Sequence, residues 1–180
     1  AKKLLEESGW TDTDGDGYVD KDGQKLSINW LTYPTRLEQP KLAEYAQATL
    51  KDIGIDVVVN NTSDHMTIAK SGDFDVYVSS TTTAPTGDPE YFFTSTVTGS
   101  KNYGNYQNEE VTKLTDQLHQ TFDKDERGKL AIELQQDILD DDAYFFVSHL
   151  NMGIVTKSNV KGMAAHPCDY YEITAELDVE

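Results

Sequence analysis

The residues with the clearest potential chemistry are five aspartates and three glycines in the stretch TDTDGDGYVDKDGQKL, at 11–26. An EF-hand calcium loop supplies oxygen ligands from positions 1, 3, 5, 7, 9 and 12 and has glycine at position 6. Counted from Asp12, the glycine is Gly17, and position 12 is Gly23, so the bidentate glutamate is absent. The other ligand positions are filled by Asp12, Asp14, Asp16, the carbonyl of Tyr18, and Asp20.

Two interpretations of this acidic loop stay open. In the first, a structural calcium ion of millimolar-class affinity relieves the repulsion between the carboxylates and pins the turn. In the second, the carboxylates accept hydrogen bonds from the backbone amides of an Asp/Gly turn, without an ion. A strand pattern follows the loop, where an EF-hand would have its second helix. We therefore expect a structural role for the loop, with no required cofactor.

A second group of candidates lies in a long loop rich in Thr, Gly, Pro and Tyr, at 81–106. The loop follows the carboxyl end of a predicted strand, where open α/β sheets place their ligands. Hydroxyl, amide and aromatic groups without fixed charge suit a small polar ligand. The alternative is a solvent loop of turn-forming residues. The predicted ligand-binding residues here are Thr82, Thr83, Asn102, Tyr103, Asn105 and Tyr106.

Two more candidates are expected at the same edge of the sheet: Tyr33 is the last residue of an earlier predicted strand, and Arg36 lies just beyond it. Arg36 can bind a carboxylate in bidentate fashion, and Tyr33 can line the same wall. The alternative for Arg36 is a surface ion pair with Glu38 or a role in capping the next helix.

Of the four histidines, His149 and His166 are the nickel candidates. His149 stands at the end of a predicted strand, and His166 lies two residues before Cys168. A closed metal site needs about four ligands, which this pair does not supply. His119 is expected to be exposed on a helix, and His65 to open a short helix.

The elements that must position these residues alternate in the first half of the chain. Helical patterns at 2–8, 42–53 and 63–71 are separated by strand patterns at 26–33, 55–59 and 74–80. The apolar stripe of the middle helix consists of Leu42, Tyr45, Ala46, Thr49, Leu50 and Ile53. The alternation predicts an α/β fold with a mainly parallel central sheet flanked by helices.

The second half is predicted to be mainly helical before it becomes extended. One helical turn is expected after Asp88 and Pro89, and two amphipathic helices follow. The second helix begins with a capping-box pattern, Asp123 with Glu126. The segments AYFFVSHL at 143–150 and GIVTK at 153–157 resemble strands. The two helical stripes are Val111, Leu114, Leu118 and Phe122, and Leu130, Leu134 and Ile138.

Composition excludes several functions. The chain has 32 acidic against 15 basic residues and a formal charge of -17, which disfavours binding to nucleic acid. The sequence lacks the motifs of serine hydrolases, P-loop proteins and zinc peptidases, so no enzyme is predicted. It also has no apolar run long enough for a membrane span. No signal peptide is visible, and we expect a piece of a longer protein whose targeting signal lies outside this sequence.

Five segments, in order, resemble the extracellular solute-binding proteins of peptide and nickel ABC importers, solute-binding family 5. They are AKKLLEESGWTDTDGDGYVDKDGQKLSINWLTY, RLEQPKLAEYAQATLKDIGIDVVV, GDFDVYVSS, GDPEYFF and NYQNEEVTKLTDQLHQTFDKDERGKLAIELQQDILDDDAYFF. The resemblance implies the C-terminal, ligand-binding lobe of a two-lobe binding protein over 1–160. It also implies that 161–180 returns toward a missing N-terminal lobe.

The same resemblance implies an extracytoplasmic protein, periplasmic or lipid-anchored, that closes on its cargo and presents it to an ABC permease. The expected cargo is nickel as a small-molecule chelate, or short peptides. The segment YPTRLEQPKLAEYAQ is closer to the nickel branch, which favours nickel slightly. The alternative of a different class is a calcium-stabilised extracellular adhesion or interaction module without a transport role.

Overall fold

A computed structural model describes residues 1–151, 153–165 and 173–180, and the chain divides into two units, Ala1–Ser80 and Thr81–Glu180. The first unit contains α1 (Lys2–Glu7), β1 (Asp20–Lys21), β2 (Gln24–Lys25), β3 (Ser27–Thr32), α2 (Glu38–Lys51), β4 (Asp56–Asn61), α3 (His65–Ser71) and β5 (Val76–Tyr77). The second contains α4 (Glu90–Phe92), a π-helical turn (Phe93–Val97), α5 (Glu109–Gln120), α6 (Lys124–Asp140), β6 (Val160–Lys161) and β7 (Asp178–Val179).

The first unit is built on a parallel sheet with strand order β4-β3-β5. Ser27 aligns with Asp56 at the start of the β3-β4 pair, and Leu31 aligns with Tyr77 in the β3-β5 pair. The predicted α/β fold with a parallel sheet is confirmed. Because the three strands run in the same direction, the residues after β3, β4 and β5 all emerge at one edge, called here the carboxyl edge.

Helix α2 begins four residues before the predicted start. Pro40 is compatible with a first helical turn, because the amide it lacks would have no partner inside the helix. The helix buries Gln39 and Ala43, whereas Tyr45, which was predicted in the apolar stripe, is 70% exposed. The prediction was wrong for Tyr45 because the sheet contacts a helical face that includes the small residue Ala43.

The acidic loop is attached at the opposite, amino edge of the sheet. Strands β1 and β2 form a short antiparallel hairpin after the loop. The Val19 amide donates to the carbonyl of Gly54 at 2.7 Å, and the Leu26 amide donates to the carbonyl of Val19 at 2.9 Å. Gly54 has φ +84°, and a Cβ at this position would lie 2.9 Å from Val19 Cγ1. Glycine therefore allows the loop to pack against the turn between α2 and β4.

The core of the second unit lies between α5, α6 and the π-helical turn. The predicted stripes are buried in it, except for Phe122, which is 92% exposed. Helix α5 ends at Gln120 and the backbone is extended at Thr121, so Phe122 is not on the helical face. The prediction for Phe122 was wrong for that reason. The buried cluster consists of Phe93, Val97, Val111, Leu114, Leu118, Leu130, Ala131, Leu134 and Ile138.

Both long helices begin at a side-chain cap. Asn108 Oδ1 accepts from the amides of Glu110 and Val111, and Asp123 accepts from the amides two and three residues ahead. Glu126 forms an ion pair with Lys129 at 2.6 Å, and no described contact returns from its carboxylate to Asp123. The predicted Asp123 cap is therefore present, but the reciprocal half of the capping box is not among the described hydrogen bonds.

The strands predicted at 143–150 and 153–157 are wrong over their described residues, which have no regular secondary structure. Phe145 and Val155 are 88% and 97% exposed. A strand needs a hydrogen-bonded neighbour, and none of the described residues pairs with these segments. The short antiparallel pair β6-β7 was not predicted. No helix in the described part of the chain has the length and apolar character that crossing a membrane requires.

Candidate functional site

The carboxyl edge of the first unit carries a cluster of three aromatic rings. Tyr33 directly follows β3, His65 begins α3 after β4, and Tyr77 ends β5. The Tyr33 and His65 rings are stacked, with centroids 4.1 Å apart and an interplanar angle of 19°. His65 Nδ1 lies 2.8 Å from the Tyr77 hydroxyl. These three side chains are called the edge cluster below.

The edge cluster changes the role expected of Tyr33. Its side chain was predicted to line a ligand wall, but the residue is only 7% exposed and its ring is stacked with His65. Its hydroxyl accepts a hydrogen bond from the Ser80 amide at 3.3 Å. His65 and Tyr77 are both half-buried, so Tyr33 is the one buried member of the cluster. The prediction placed Tyr33 at the right edge but did not include His65, which has no motif to mark it.

Arg36 is exposed in the connection between β3 and α2. Its backbone carbonyl accepts from the Gln39 amide at 3.1 Å. The guanidinium makes no ion pair within the part of the chain that the structure describes, so the predicted alternative of a pair with Glu38 is not seen there. Arg36 therefore retains a free positive charge for a carboxylate.

Several buried oxygen atoms lie where β3 ends and α2 begins. Thr32 is fully buried and Gln39 is 2% exposed. The side-chain oxygens Thr32 Oγ1, Glu38 Oε1 and Gln39 Oε1 have no hydrogen-bond partner among the described residues. Buried acceptors without partners cost folding free energy, so this part of the carboxyl edge is polar at the expense of stability.

In the second unit, the candidate loop is held by its own amide and phenol groups. Asn102 donates from Nδ2 to the carbonyl of Tyr106 at 2.8 Å and accepts from the Tyr106 amide at 3.0 Å. The Tyr106 hydroxyl donates to Asp141 at 2.6 Å. Burial and the Asp141 carboxylate raise the pKa of Tyr106 to about 12. Asn105 has φ +52°, which fits a tight turn.

A groove of about 810 Å³ runs along this loop and the start of α5. It is mainly lined by amides and hydroxyls, with three charged side chains, Glu109, Lys113 and Asp116. Of the predicted ligand residues, Asn102, Asn105 and Tyr106 line this groove. Thr82, Thr83 and Tyr103 are not among its lining residues: Thr82 and Tyr103 are half-buried, and Thr83 is exposed. The full lining is Thr98, Asn102, Asn105, Tyr106, Gln107, Asn108, Glu109, Val111, Thr112, Lys113 and Asp116.

Arg127 connects the Asp-Pro turn to the helical pair. Its Nε and Nη2 atoms bind both Asp88 carboxylate oxygens, at 2.9 and 2.6 Å, and Nη2 also binds Glu90 at 2.7 Å. Its Nη1 donates to the carbonyls of Leu118 and Thr121, at 2.7 and 2.6 Å. Hydrogen bonds from Arg127 lower the pKa of both carboxyls. Arg127 therefore has a structural position, supporting the loop that carries the groove.

The acidic loop only partly has the geometry expected for calcium. Carboxylate oxygens of Asp12, Asp14 and Asp20 lie within 4.8 Å of one another. Asp16 instead pairs with Lys25 at 2.7 Å, and this contact lowers the pKa of Asp16. Three of the four predicted carboxylates therefore lie together, and their hard oxygen ligands fit calcium chemically.

These carboxylates also accept hydrogen bonds from backbone amides of the loop. Asp12 accepts from the amides of Gly15 and Gly17, at 2.7 and 3.0 Å, and Asp14 accepts from the Asp16 amide. Asp20 accepts from both the amide and the hydroxyl of Thr13. The turn interpretation thus accounts for the backbone amide contacts of these carboxylates, and calcium stays a prediction.

Of the two nickel candidates, only His149 lies among the described residues. His149 is exposed in the segment without regular structure, and His166 and Cys168 lie outside the described residues. Within the described ranges, the three aspartates above form the only group of His, Cys, Asp or Glu side chains that is close enough to hold a metal ion. A nickel site on protein histidines therefore has no geometric support in this part of the chain.

A parallel sheet whose carboxyl edge carries aromatic and polar side chains is the architecture of an α/β ligand-binding lobe. Residues 1–104, more than half of the chain, match the family model of the bacterial extracellular solute-binding proteins, family 5 Middle. The chain belongs to this family of solute-binding proteins. The family suggested by the sequence motifs is therefore confirmed.

Two relatives illustrate the match. The oligopeptide-binding protein AppA of Bacillus subtilis is 31% identical over 179 residues, covering 96% of this chain and 33% of AppA. The solved AppA structure, in complex with a nonapeptide, has a TM-score of 0.77 and 30% identity over 92% of this chain and 34% of that chain.

The nickel-binding protein NikA of Staphylococcus aureus is 27% identical over 168 residues, covering 92% of this chain and 34% of NikA. Its structure in complex with Ni(L-His)2 has a TM-score of 0.64 and 29% identity over 79% of this chain and 28% of that chain. The chain thus spans about a third of the length of the curated relatives that it matches.

Proposed function

We propose that this chain is the ligand-binding part of a longer extracytoplasmic binding protein, which captures a small cargo and delivers it to an ABC permease. The family match over residues 1–104 carries the proposal. The position of the edge cluster supports it, because open α/β sheets bind ligands beyond the carboxyl ends of their strands. The domain boundaries stay a prediction: a ligand-binding lobe over 1–160 and a segment over 161–180 that returns toward the N-terminal lobe.

The mechanism is capture without chemistry. A binding protein of this type populates open and closed states, and cargo that contacts both sides of the cleft favours the closed state. The permease then distinguishes the closed form from the open one. The side chains described here are suited to holding a ligand by hydrogen bonds and aromatic contacts, and the proposal needs no catalytic residue.

Short peptides are the proposed cargo. The AppA structure, which contains a nonapeptide, matches 92% of this chain, while the nickel-loaded NikA structure matches 79% with a lower TM-score. The exposed guanidinium of Arg36 adds a group that can bind a peptide carboxylate. The segment YPTRLEQPKLAEYAQ favours nickel slightly, but the larger structural match to the peptide-bound protein places nickel second.

A nickel complex is the second candidate, because the sequence match to NikA also covers 92% of the chain. The edge cluster offers one imidazole but no set of protein ligands for a bare ion. If nickel is the cargo, it therefore enters as a chelate whose own groups complete the coordination. The adhesion alternative has no support from the relatives above, which are named as binding proteins.

Calorimetry on the full-length protein tests the proposal. A pool of randomised nonapeptides and nickel(II) with L-histidine are titrated separately, and calcium is titrated as a third arm. Saturable heat with the peptide pool supports the proposed cargo, and heat with the nickel mixture alone moves the second candidate to first place. Binding of neither rejects transport of both cargoes.

A further inference from the structure

His65 is the least explained member of the edge cluster. Its ring is stacked against Tyr33, a residue that is only 7% exposed and whose hydroxyl is hydrogen-bonded to Ser80. Its Nδ1 atom is hydrogen-bonded to Tyr77, and the Tyr77 ring in turn packs against Phe74 with centroids 5.8 Å apart. The imidazole is therefore fixed in both position and rotation by groups that belong to the sheet.

The contacts of Tyr77 indicate which nitrogen of His65 carries the proton. The Tyr77 hydroxyl lies 3.9 Å from the sulfur of Met66, which has no hydrogen to donate. We assign the hydroxyl hydrogen of Tyr77 to this contact, and with that assignment the hydroxyl oxygen accepts from Nδ1–H of His65. In a neutral imidazole with a protonated Nδ1, Nε2 has a free lone pair.

That lone pair has no protein partner in the described part of the chain, where Nδ1 makes the only hydrogen bond of the His65 ring. The residue is half-buried and begins α3, beyond the carboxyl end of β4. A rigid acceptor at this edge loses little conformational freedom when a ligand binds to it. It also lies where an open α/β sheet binds ligands.

We propose that His65 is a specificity-determining residue of the lobe, whose Nε2 accepts a hydrogen bond from a backbone N–H of the bound peptide. The proposal rests on the proposed function of peptide capture. A neutral acceptor matches a neutral peptide N–H, which every peptide carries whatever its side chains. His65 would therefore select for the peptide backbone, and not for a particular residue.

The first experiment compares peptide affinity in the full-length protein and two variants. His65→Phe keeps a flat ring for the Tyr33 stack and removes both nitrogens. His149→Phe makes the same chemical change at an exposed histidine outside the edge cluster. With the randomised nonapeptide pool, we expect the Kd of His65→Phe to rise roughly three- to tenfold, the range for one hydrogen bond. The Kd of His149→Phe should stay at the wild-type value.

The second experiment uses the best-binding nonapeptide, and its spectroscopic part needs only the wild type. Single N-methylation along the peptide removes one N–H at a time. One position should weaken binding to the wild type, and His65→Phe should show no further loss at that same position. In the ¹⁵N spectrum of histidine-labelled wild type, the bare Nε2 should shift on peptide addition, while Nδ1 keeps its proton.

The outcomes separate the two proposals. If the wild type does not bind the peptide pool, peptide capture itself is rejected, and His65 with it. Peptide binding that is equal in wild type and His65→Phe rejects only the role of His65. A spectrum with the proton on Nε2, or nickel–histidine binding that depends on His65 while peptide binding does not, also overturns the hydrogen-bond proposal.

Discussion

Replacing Arg127 should destabilise the second unit more than any other single surface change. The guanidinium makes five hydrogen bonds, three to the carboxylates of Asp88 and Glu90 and two to the carbonyls of Leu118 and Thr121. Its side chain is 14% exposed, and those of Asp88 and Glu90 are 41% and 22% exposed. The contacts join the turn before α4 to both ends of the α5-α6 connection.

Arg127→Met removes all five hydrogen bonds and leaves Asp88 without a counter-charge among the described residues, while Glu90 keeps its contact with His119 Nδ1 at 2.6 Å. Breaking one side of a fully buried ion pair costs about 3–5 kcal/mol. Asp88 is partly exposed, so we expect about 3 kcal/mol here. Arg127→Lys keeps the charge but has three donors and no planar fork, and should cost about 1.5 kcal/mol. Urea unfolding followed by circular dichroism measures both losses.

Lys129→Met is the matched control, because Lys129 also pairs with a glutamate but is 70% exposed. Its loss should stay below about 0.5 kcal/mol. A double-mutant cycle of Arg127→Met with Asp88→Asn isolates the pair from other effects. An Arg127→Met loss no larger than the control, or a coupling energy near zero, would refute the structural role assigned to the arginine.

The same contacts set a dependence on pH. Arg127 lowers the pKa of Asp88 and Glu90 in the folded chain, and His119 contributes to lowering that of Glu90. A lowered folded pKa means that the stabilisation is complete above the ordinary carboxyl pKa and is lost as pH falls through the folded value. Wild type should therefore lose stability below about pH 5, and Arg127→Met should lose less over that range. Parallel acid titrations of unfolding would show no difference if the ion pairs are absent.

Three further predictions concern the first unit. Gly54→Ala should lower the free energy of unfolding by about 2–4 kcal/mol, because alanine is strained at φ +84° and its Cβ meets Val19. The control Gly72→Ala, at φ +76° with no atom within 4 Å of the added Cβ, should lower it by about 1–2 kcal/mol. Calcium at ten times its Kd should stabilise the folded state by about 1.4 kcal/mol. Asp14→Asn should abolish the resulting rise in melting temperature, whereas Asp16→Asn should not, because Asp16 is already paired with Lys25. If calcium does not raise the melting temperature of the wild type, the aspartates serve only the turn. Thr32→Val should raise the unfolding free energy by about 1 kcal/mol, since the buried hydroxyl has no described partner, and a loss of stability would show that it has one.

The parallel sheet and the helical core were predictable because each uses a local pattern that tertiary contacts reinforce. Strand β4 is marked by consecutive valines and β3 by a buried leucine. A helix connects each of these strands to the next, which is typical of parallel pairing. Leu130, Leu134 and Ile138 recur at helical spacing and are all buried. In these elements, periodicity and burial agree, so the sequence alone identifies the face that packs.

The wrong predictions concern segments whose sequence pattern fits an element that the rest of the chain does not support. The segment at 143–150 has strand composition, but strand formation depends on a neighbouring strand that composition does not reveal. Tyr144 instead packs against Phe92 and Tyr106 and donates to the carbonyl of Thr96. The prediction for Phe122 was wrong for a related reason: its spacing fits the apolar stripe of α5, but the helix ends two residues earlier.

The candidate site shows the same limit at the level of single side chains. Tyr33 could be placed at the carboxyl edge from its position at the end of a strand. Its burial could not be predicted, because the ring that covers it belongs to the segment after the next strand. His65 follows β4 in sequence and reaches Tyr33 only because β4 and β3 are neighbours in the sheet. Strand order is a tertiary property, so no local pattern could assign His65 to the site. The acidic loop, whose spacing was so suggestive, lies at the amino edge instead. A ligand bound at the carboxyl edge is therefore separated from the loop by the length of β3, and calcium in the loop should leave cargo affinity unchanged.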